Sequence, residues 1–384
     1  MSKDAEECQP VAEVKAPIKT PETAISTPRE LAEAIDEKPE PIKEEIDVKP
    51  QKDPNKQYID DEGCPVINLD EPQWDGSTFS GRMKNYMAPR RLRYFFASSQ
   101  TLKDAKELIR KYLCGEPLED VTVNELWEAK HKFDSTFHPD TGEEISLPTR
   151  KSAVVPVDGL ITGLMMTFYR SIPGIIIGQW AKQTYTSGFD FANRTCDKQE
   201  IKIPQYKAAY AMGTGSAIMT AIGLGSLIKK CHPPVLGRLV PFAGVAAATL
   251  IYNPFLNARV LNDGWQIYDQ ENNLLGCSPT AAAWALPAET IGKVAMVMPP
   301  MVIPPFIMHH LEYKKKLFCR YPWAQAPIQI GLCCLCIMFL TPMVRALFPD
   351  RSPMPFTQLE DEFQEDIKEA CTPPDTVYMK NRIN

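Results

Sequence analysis

Four ionisable side chains sit within or at the edge of long apolar stretches of this chain: Asp158, Arg170, Glu289 and Lys293. A charge placed in hydrocarbon costs about 3 kcal/mol or more, so such residues are paired, functional or both. Glu289 and Lys293 are four apart and meet on one helix face, which reads as a structural pair near a membrane boundary. Asp158 and Arg170 offer other chemistry. A zwitterionic amino acid needs a cation for its carboxylate and an acceptor for its ammonium, and Arg170 and Asp158 supply one each. They are twelve residues apart, so they face each other only if the segment between them bends.

Other motifs are weaker. His138-Pro139-Asp140-Thr141-Gly142-Glu143 contains an Asp-Thr-Gly triplet, but aspartic-protease chemistry needs two carboxylates sharing a proton, and no second copy exists. A metal site on His138, Asp140 and Glu143 lacks a partner motif. The string reads best as a tight turn, with Asp140 and Thr141 bonding backbone amides and Gly142 at positive φ. Cys333-Cys334-Leu335-Cys336 lies in an apolar run, where thiols serve as small packing groups. No lysine-bearing phosphate loop follows Gly213-Thr214-Gly215 or Gly223-Leu224-Gly225. Gly213, Ala217, Ala221 and Gly225 instead make a four-residue ladder of small side chains, the pattern of close helix packing in lipid. No cofactor, metal or enzymatic activity is expected.

The elements that carry these residues are apolar runs over roughly 154–180, 208–228, 239–256, 288–311 and 324–348. Each has the length of a transmembrane helix. The chain therefore reads as an all-α polytopic membrane protein with about five spans in residues 151–350, followed by a C-terminal tail, 351–384. Prolines cluster in the runs. Pro299-Pro300-Met301-Val302-Ile303-Pro304-Pro305 is the candidate helix break, as used by transporters at the midplane, or else a rigid kink that sets packing.

The mean hydropathy of -0.24 hides this organisation. Residues 1–60 carry 9 Lys+Arg and 15 Asp+Glu, a balance of -6 that equals the net charge of the whole chain. With eight prolines and one aromatic, residues 1–64 read as a disordered acidic tail without presequence character. Residues 65–150 read as a small soluble helical head. One helix is expected from a Thr101 cap to Gly115, and another from a Thr122–Glu125 capping box. Arg90, Arg91 and Arg93 beside Tyr94, Phe95 and Phe96 suit packing with solvated arginines, or contact with anionic lipid headgroups. No domain-scale basic face for nucleic acid is present.

Read together, several strings resemble the sideroflexin family. They include Pro72-Gln73-Trp74-Asp75-Gly76-Ser77-Thr78-Phe79, His138–Glu143, Thr162–Arg170, Gly237-Arg238-Leu239-Val240-Pro241-Phe242-Ala243 and Ala326-Pro327-Ile328-Gln329. The resemblance covers about residues 66–384. Members usually carry an asparagine after the triple alanine, then Asn-Ile-Pro and Arg-x-Arg-Glu. Here Thr249, Asn257 and Val260 replace the asparagine, first arginine and glutamate, while Pro254 and Arg259 persist. Arg170, Asp158, Asn253, Arg259 and Thr249 are thus the candidate substrate residues of a divergent member.

The resemblance implies a multi-pass protein of the mitochondrial inner membrane, head toward the matrix, that transports a small neutral amino acid. Serine leads, with a link to one-carbon metabolism. The alternative it implies is a non-transporting assembly or scaffold factor for respiratory-complex or iron-sulfur biogenesis. Expected partners are the amino acid, the lipid bilayer, and a second copy or respiratory-complex proteins. Because residues 1–60 are read as a passive extension, deleting them should leave mitochondrial localisation intact. Fluorescence microscopy of a tagged truncation checks this, and a cytosolic signal would mean that a targeting element had been misread.

Overall fold

The computed structural model describes residues 67–69, 71–114, 121–138, 141–194, 203–228, 234–271, 273–313, 318, 321–370 and 376–380. The acidic tail, Pro139, Asp140 and Gly115 lie outside them. The head holds three main helices, α1 (Phe79–Met87), α2 (Ser99–Leu113) and α3 (Val123–Thr136). Helix α2 starts earlier than the sequence suggests. Ser98 is its cap, accepting a hydrogen bond from the Thr101 amide at 3.2 Å, because a serine in extended conformation one turn earlier already satisfies that amide. Helix α3 begins with the expected capping box between Thr122 and Glu125. The two helices pack through Ala105, Ile109 and Ala129.

His131 is stacked between Trp74 and Trp127 and bonded to the Gln73 side-chain oxygen at 2.8 Å. Burial pushes its pKa down to about 4, so the ring stays neutral. The string beginning at His138 closes a tight hairpin. The His138 amide donates to the Glu143 carbonyl at 2.9 Å, Thr141 Oγ1 accepts from the Glu143 amide at 3.3 Å, and Gly142 has φ +64°.

The run 154–180 does not form one span. A π-helical turn over Val154–Asp158 leads into α4 (Gly159–Thr167), the chain turns at 168–171, and α5 (Ile172–Ala192) runs back. Ser171 caps α5 by accepting from the Gly174 amide at 3.2 Å, and Pro173 sits in its first turn, where a missing N–H costs nothing. Gly178 lets the limbs touch, since a Cβ there would lie 2.7 Å from the Met165 side chain. Both ends of this hairpin lie against the head, where Asn193 Nδ2 donates to the Thr149 carbonyl at 2.8 Å.

Four further helices are long and apolar enough to cross a membrane: α6 (Ile203–Ile228), α7 (Pro234–Leu256), α8 (Pro279–Tyr313) and the last span. The last span is α9 (Gln325–Leu335), a π-helical turn at Cys336–Leu340, and α10 (Thr341–Leu347). With the two hairpin limbs, this makes six limbs among the described residues. The last one returns to the head, where Arg82 Nε donates to the Ala346 carbonyl at 2.9 Å. Residues after 350 therefore emerge on the same side as the head, whereas five spans would have put them on the other.

These residues are no loose tail. Strands β1 (Trp265–Tyr268) and β2 (Leu274–Ser278), from the α7–α8 connection, join β3 (Arg351–Pro355) and β4 (Thr376–Lys380) in an antiparallel sheet of order β2-β1-β4-β3. Helix α11 (Asp361–Ala370) covers it, with Ile267, Met354, Ile367 and Val377 in the core. Glu360 caps α8, accepting from the Thr280 amide at 2.6 Å and the Ser278 hydroxyl at 2.5 Å.

The proline-dense stretch of α8 is helical throughout, so the expected break is absent. Pro300 and Pro304 have no N–H to give the carbonyls four residues earlier. Those carbonyls are met from the last span: Thr341 Oγ1 donates to the Met296 carbonyl and the Cys333 thiol to the Pro300 carbonyl, both at 3.4 Å.

The ladder on α6 faces protein. Gly213, Ala217 and Ala221 are buried, and a Cβ on Gly213 would meet Gln183 and Tyr252, each at 3.0 Å. Replacing Gly213 with leucine should destabilise the protein by roughly 1–3 kcal/mol by forcing these helices apart. Thermal melting of detergent-solubilised protein reads this directly, and an unchanged melting temperature would contradict the packing.

Candidate functional site

Helix α5 is amphipathic the wrong way round for a soluble protein. Gln179, Lys182, Gln183 and Ser187 are buried, while Ile177 and Trp180 on its other side are exposed. A polar stripe turned inward and an apolar face turned outward suit a helix bathed in lipid. Along this stripe Lys182 forms an ion pair with Asp158 on the opposing limb, with Thr162 Oγ1 3.4 Å from the Lys182 ammonium. Asp190 lies two turns further on.

Helices α7 and α8 add a second network. Glu289 and Lys293 pair at 2.8 Å, one turn apart as expected, with Glu289 buried and Lys293 half-buried. Lys293 Nζ also donates to Asn253 Oδ1 at 2.7 Å. Asn253 Nδ2 donates to Thr290 Oγ1 at 2.8 Å, and Asn257 Nδ2 reaches Asn253 Oδ1 at 3.2 Å. Thr249 turns its hydroxyl back to the Val245 carbonyl at 2.9 Å.

Between these networks lies a cavity of about 140 Å³. Asp158, Lys182, Asp190, Thr249, Asn253 and Lys293 line it, and Tyr86 and Arg90 of the head form part of its wall. Two hydroxyls on its wall, Tyr185 and Tyr252, are buried without a hydrogen-bond partner, and so is Arg90 Nε. Unmet polar atoms around a cavity are what a polar ligand would satisfy.

The sequence-predicted residues divide. Asp158, Thr249 and Asn253 converge on the cavity, whereas Arg170 and Arg259 do not line it. Arg170 is at the hairpin tip, 64% exposed, because the chain turns where a single span would have buried it. There its Nη2 lies 3.3 Å from Glu312 on α8, and its Nε donates to the Tyr169 hydroxyl at 3.0 Å. Glu312 also pairs with the buried Arg238 of α7, whose guanidinium lies 5.4 Å from the centre of the Tyr169 ring. This cluster ties three helices together at the end remote from the head.

Sequence reasoning overlooked Arg90, Lys182, Asp190, Tyr185, Tyr252, Arg238 and Glu312. For α5 a signal existed: Gln179, Gln183, Ser187 and Asp190 recur at helical spacing, although the apolar run had been ended at Trp180. For Arg90 and Glu312 none did, because only the tertiary fold brings them to these helices.

The family model for sideroflexins matches residues 68–382. The chain belongs to the sideroflexin family. Sideroflexin-1 from pig and from human are each 42% identical to it over 319 residues, 83% of this chain and 98% of theirs. Mouse sideroflexin-3 is 41% identical over 317 residues, with the same coverage. No solved structure matches it. Membership and the apolar helices make this a multi-pass membrane protein of a transporter family.

The Asp158–Lys182 pair is deeply buried, so removing one partner strands a charge. Lys182→Met alone should lower stability by about 3–5 kcal/mol, and adding Asp158→Leu should recover most of the loss. A double-mutant cycle of melting temperatures measures this, and additive losses would mean that the two residues do not depend on each other.

Proposed function

We propose that this protein carries a small neutral amino acid, serine foremost, across the mitochondrial inner membrane in support of one-carbon metabolism. Family membership supports the class of activity. The cavity supports the substrate, and one observation about it carries the proposal. Of its ionisable residues, Asp158 is paired with Lys182 and Lys293 with Glu289, while Asp190 and Arg90 make no ion pair among the described residues. One acid and one cation are thus left for a ligand that carries one of each.

The substrate ammonium would sit at Asp190 and its carboxylate at the guanidinium of Arg90, which can grip both oxygens. The Tyr185 and Tyr252 hydroxyls would bond a polar side chain such as that of serine. A volume of about 140 Å³, well below that of a drug-sized site, favours a ligand of few heavy atoms. The Arg170–Glu312–Arg238 cluster then serves as the closure of the path at the end away from the head. Transport in this scheme requires a second state in which that cluster opens.

The assembly-factor alternative draws on Thr249, which lines the cavity, and Asn257, which bonds Asn253, because both stand where relatives differ. One assay separates the two. Full-length protein in liposomes should take up labelled serine, with unlabelled serine competing better than leucine. Asp190→Asn and Arg90→Gln should each cut uptake at least about tenfold, the cost of one charge-assisted contact, at normal folding by size exclusion. Normal uptake by folded Asp190→Asn would remove the proposed site. Absence of uptake of any amino acid by folded wild-type protein would favour the assembly role.

A further inference from the structure

A second, larger depression, about 530 Å³ in volume, adjoins the cavity and shares Tyr86, Arg90, Val154 and Ile337 with it. Its two walls differ in chemistry. One is the head segment Arg90-Arg91-Leu92-Arg93, and the other is apolar, built from Val154 and Val155 of the hairpin and Ile337, Met338, Phe339 and Pro342 of the last span. The apolar wall is membrane-spanning helix, while the cationic wall belongs to the head that caps it. The groove therefore straddles the level at which hydrocarbon gives way to phosphate.

We propose that this groove binds an anionic phospholipid, its phosphate held by Arg91 and Arg93 and an acyl chain laid along Met338 and Phe339. Three observations support this. Arg91 is exposed and makes no ion pair among the described residues, while Arg93 keeps half its side chain exposed despite a 3.1 Å contact with Glu128. Their positive charge thus remains available, and no acidic residue lines the groove. The outer face of the last span at the groove is apolar and exposed, with Phe339 and Met343 both uncovered, as expected of a surface that meets lipid tails. Beside the arginines Phe96 is 75% exposed, an aromatic at the height where amphipathic anchors gather. The π-helical turn at Cys336–Leu340 supplies three of the apolar wall's residues, Ile337, Met338 and Phe339, since a wider turn spreads side chains and opens the helix surface.

Basic pockets beside transmembrane helices commonly receive anionic headgroups, because a cation near such a membrane gains from both the headgroup and the surface potential. A zwitterionic lipid offers the same tails but an ammonium that the arginines would repel. The two arginines are separate from the transport cavity, so the inference stands or falls apart from the proposed transport.

The test uses full-length detergent-purified protein and its melting temperature. Adding dioleoyl-phosphatidylglycerol should raise it by about 4 °C or more above the value in dioleoyl-phosphatidylcholine, the stabilisation expected near a hundredfold excess over the dissociation constant. Arg91→Gln/Arg93→Gln should lose that increment while melting normally in phosphatidylcholine. If the double variant is generally weakened, the phosphatidylglycerol increment still decides, because it is measured within one protein. Equal shifts with both lipids, or an increment retained by the double variant, would overturn the proposal. So would reproduction of the shift by inorganic phosphate, which would indicate an anion site without a chain groove.

Discussion

The ion pair between Asp158 and Lys182 is the interaction on which the rest of the membrane domain depends. It links the start of one limb of the α4–α5 hairpin to the middle of the other, where neither charge could be left alone in a low-dielectric surrounding. With it in place, α5 can turn its polar stripe inward and Ile176, Ile177 and Trp180 outward. The stripe then supplies one side of the cavity, and Asn253, Glu289 and Lys293 supply another. Were α5 to rotate, Lys182, Gln183 and Ser187 would face hydrocarbon, at a cost that no surface contact could offset. The hairpin's handling of one buried charge thus fixes which residues can meet a substrate.

A similar constraint governs the prolines. Five lie within α8, enough to suggest a broken helix, yet the helix continues. It can do so because the last span carries Thr341 and Cys333 at the heights of the carbonyls that Pro300 and Pro304 leave without donors. In lipid a freed carbonyl must find protein or water, and here it finds a hydroxyl and a thiol. The Cys333 thiol therefore does more than fill space. The two helices are joined by polar contacts where a soluble protein would rely on burial of apolar area, which draws no helices together in a solvent of hydrocarbon.

Much of this was legible in the sequence. The apolar runs marked the membrane domain, Thr122 and Glu125 marked a helix start, and Gly142 marked a turn with positive φ. Small residues every fourth position on α6 marked a packed face. What failed did so for identifiable reasons. The run 154–180 had the length of a span, and hydropathy does not register a turn made by Ser171 and Pro173 when its flanks are equally apolar. The sheet was missed because β1 pairs with a strand 110 residues away, Tyr268 opposite Tyr378 of β4, and short strands with mixed burial carry little periodic signal. Arg170 appeared central only while its run was taken as a single span, which would have put it in mid-membrane.

The two ends of the membrane domain are built differently, and that asymmetry bears on how such a protein could work. At the head end the cavity is walled by Tyr86 and Arg90, which come from a head segment that also packs on the last span. At the other end Arg170, Arg238 and Glu312 close the bundle with charges on three helices, one of the arginines exposed and the other buried. Separating Glu312 from Arg238 would leave a buried guanidinium unpaired unless water entered with the movement. Opening this junction therefore requires water to reach Arg238, whereas Arg170 is already exposed. Tyr169, bonded to one arginine and facing the other, couples the hairpin tip to α7 across the same junction. A path through the bundle would then be controlled at the tip by hydration of ion pairs and at the head by a folded unit, with the Asp158–Lys182 pair holding the hairpin rigid between them.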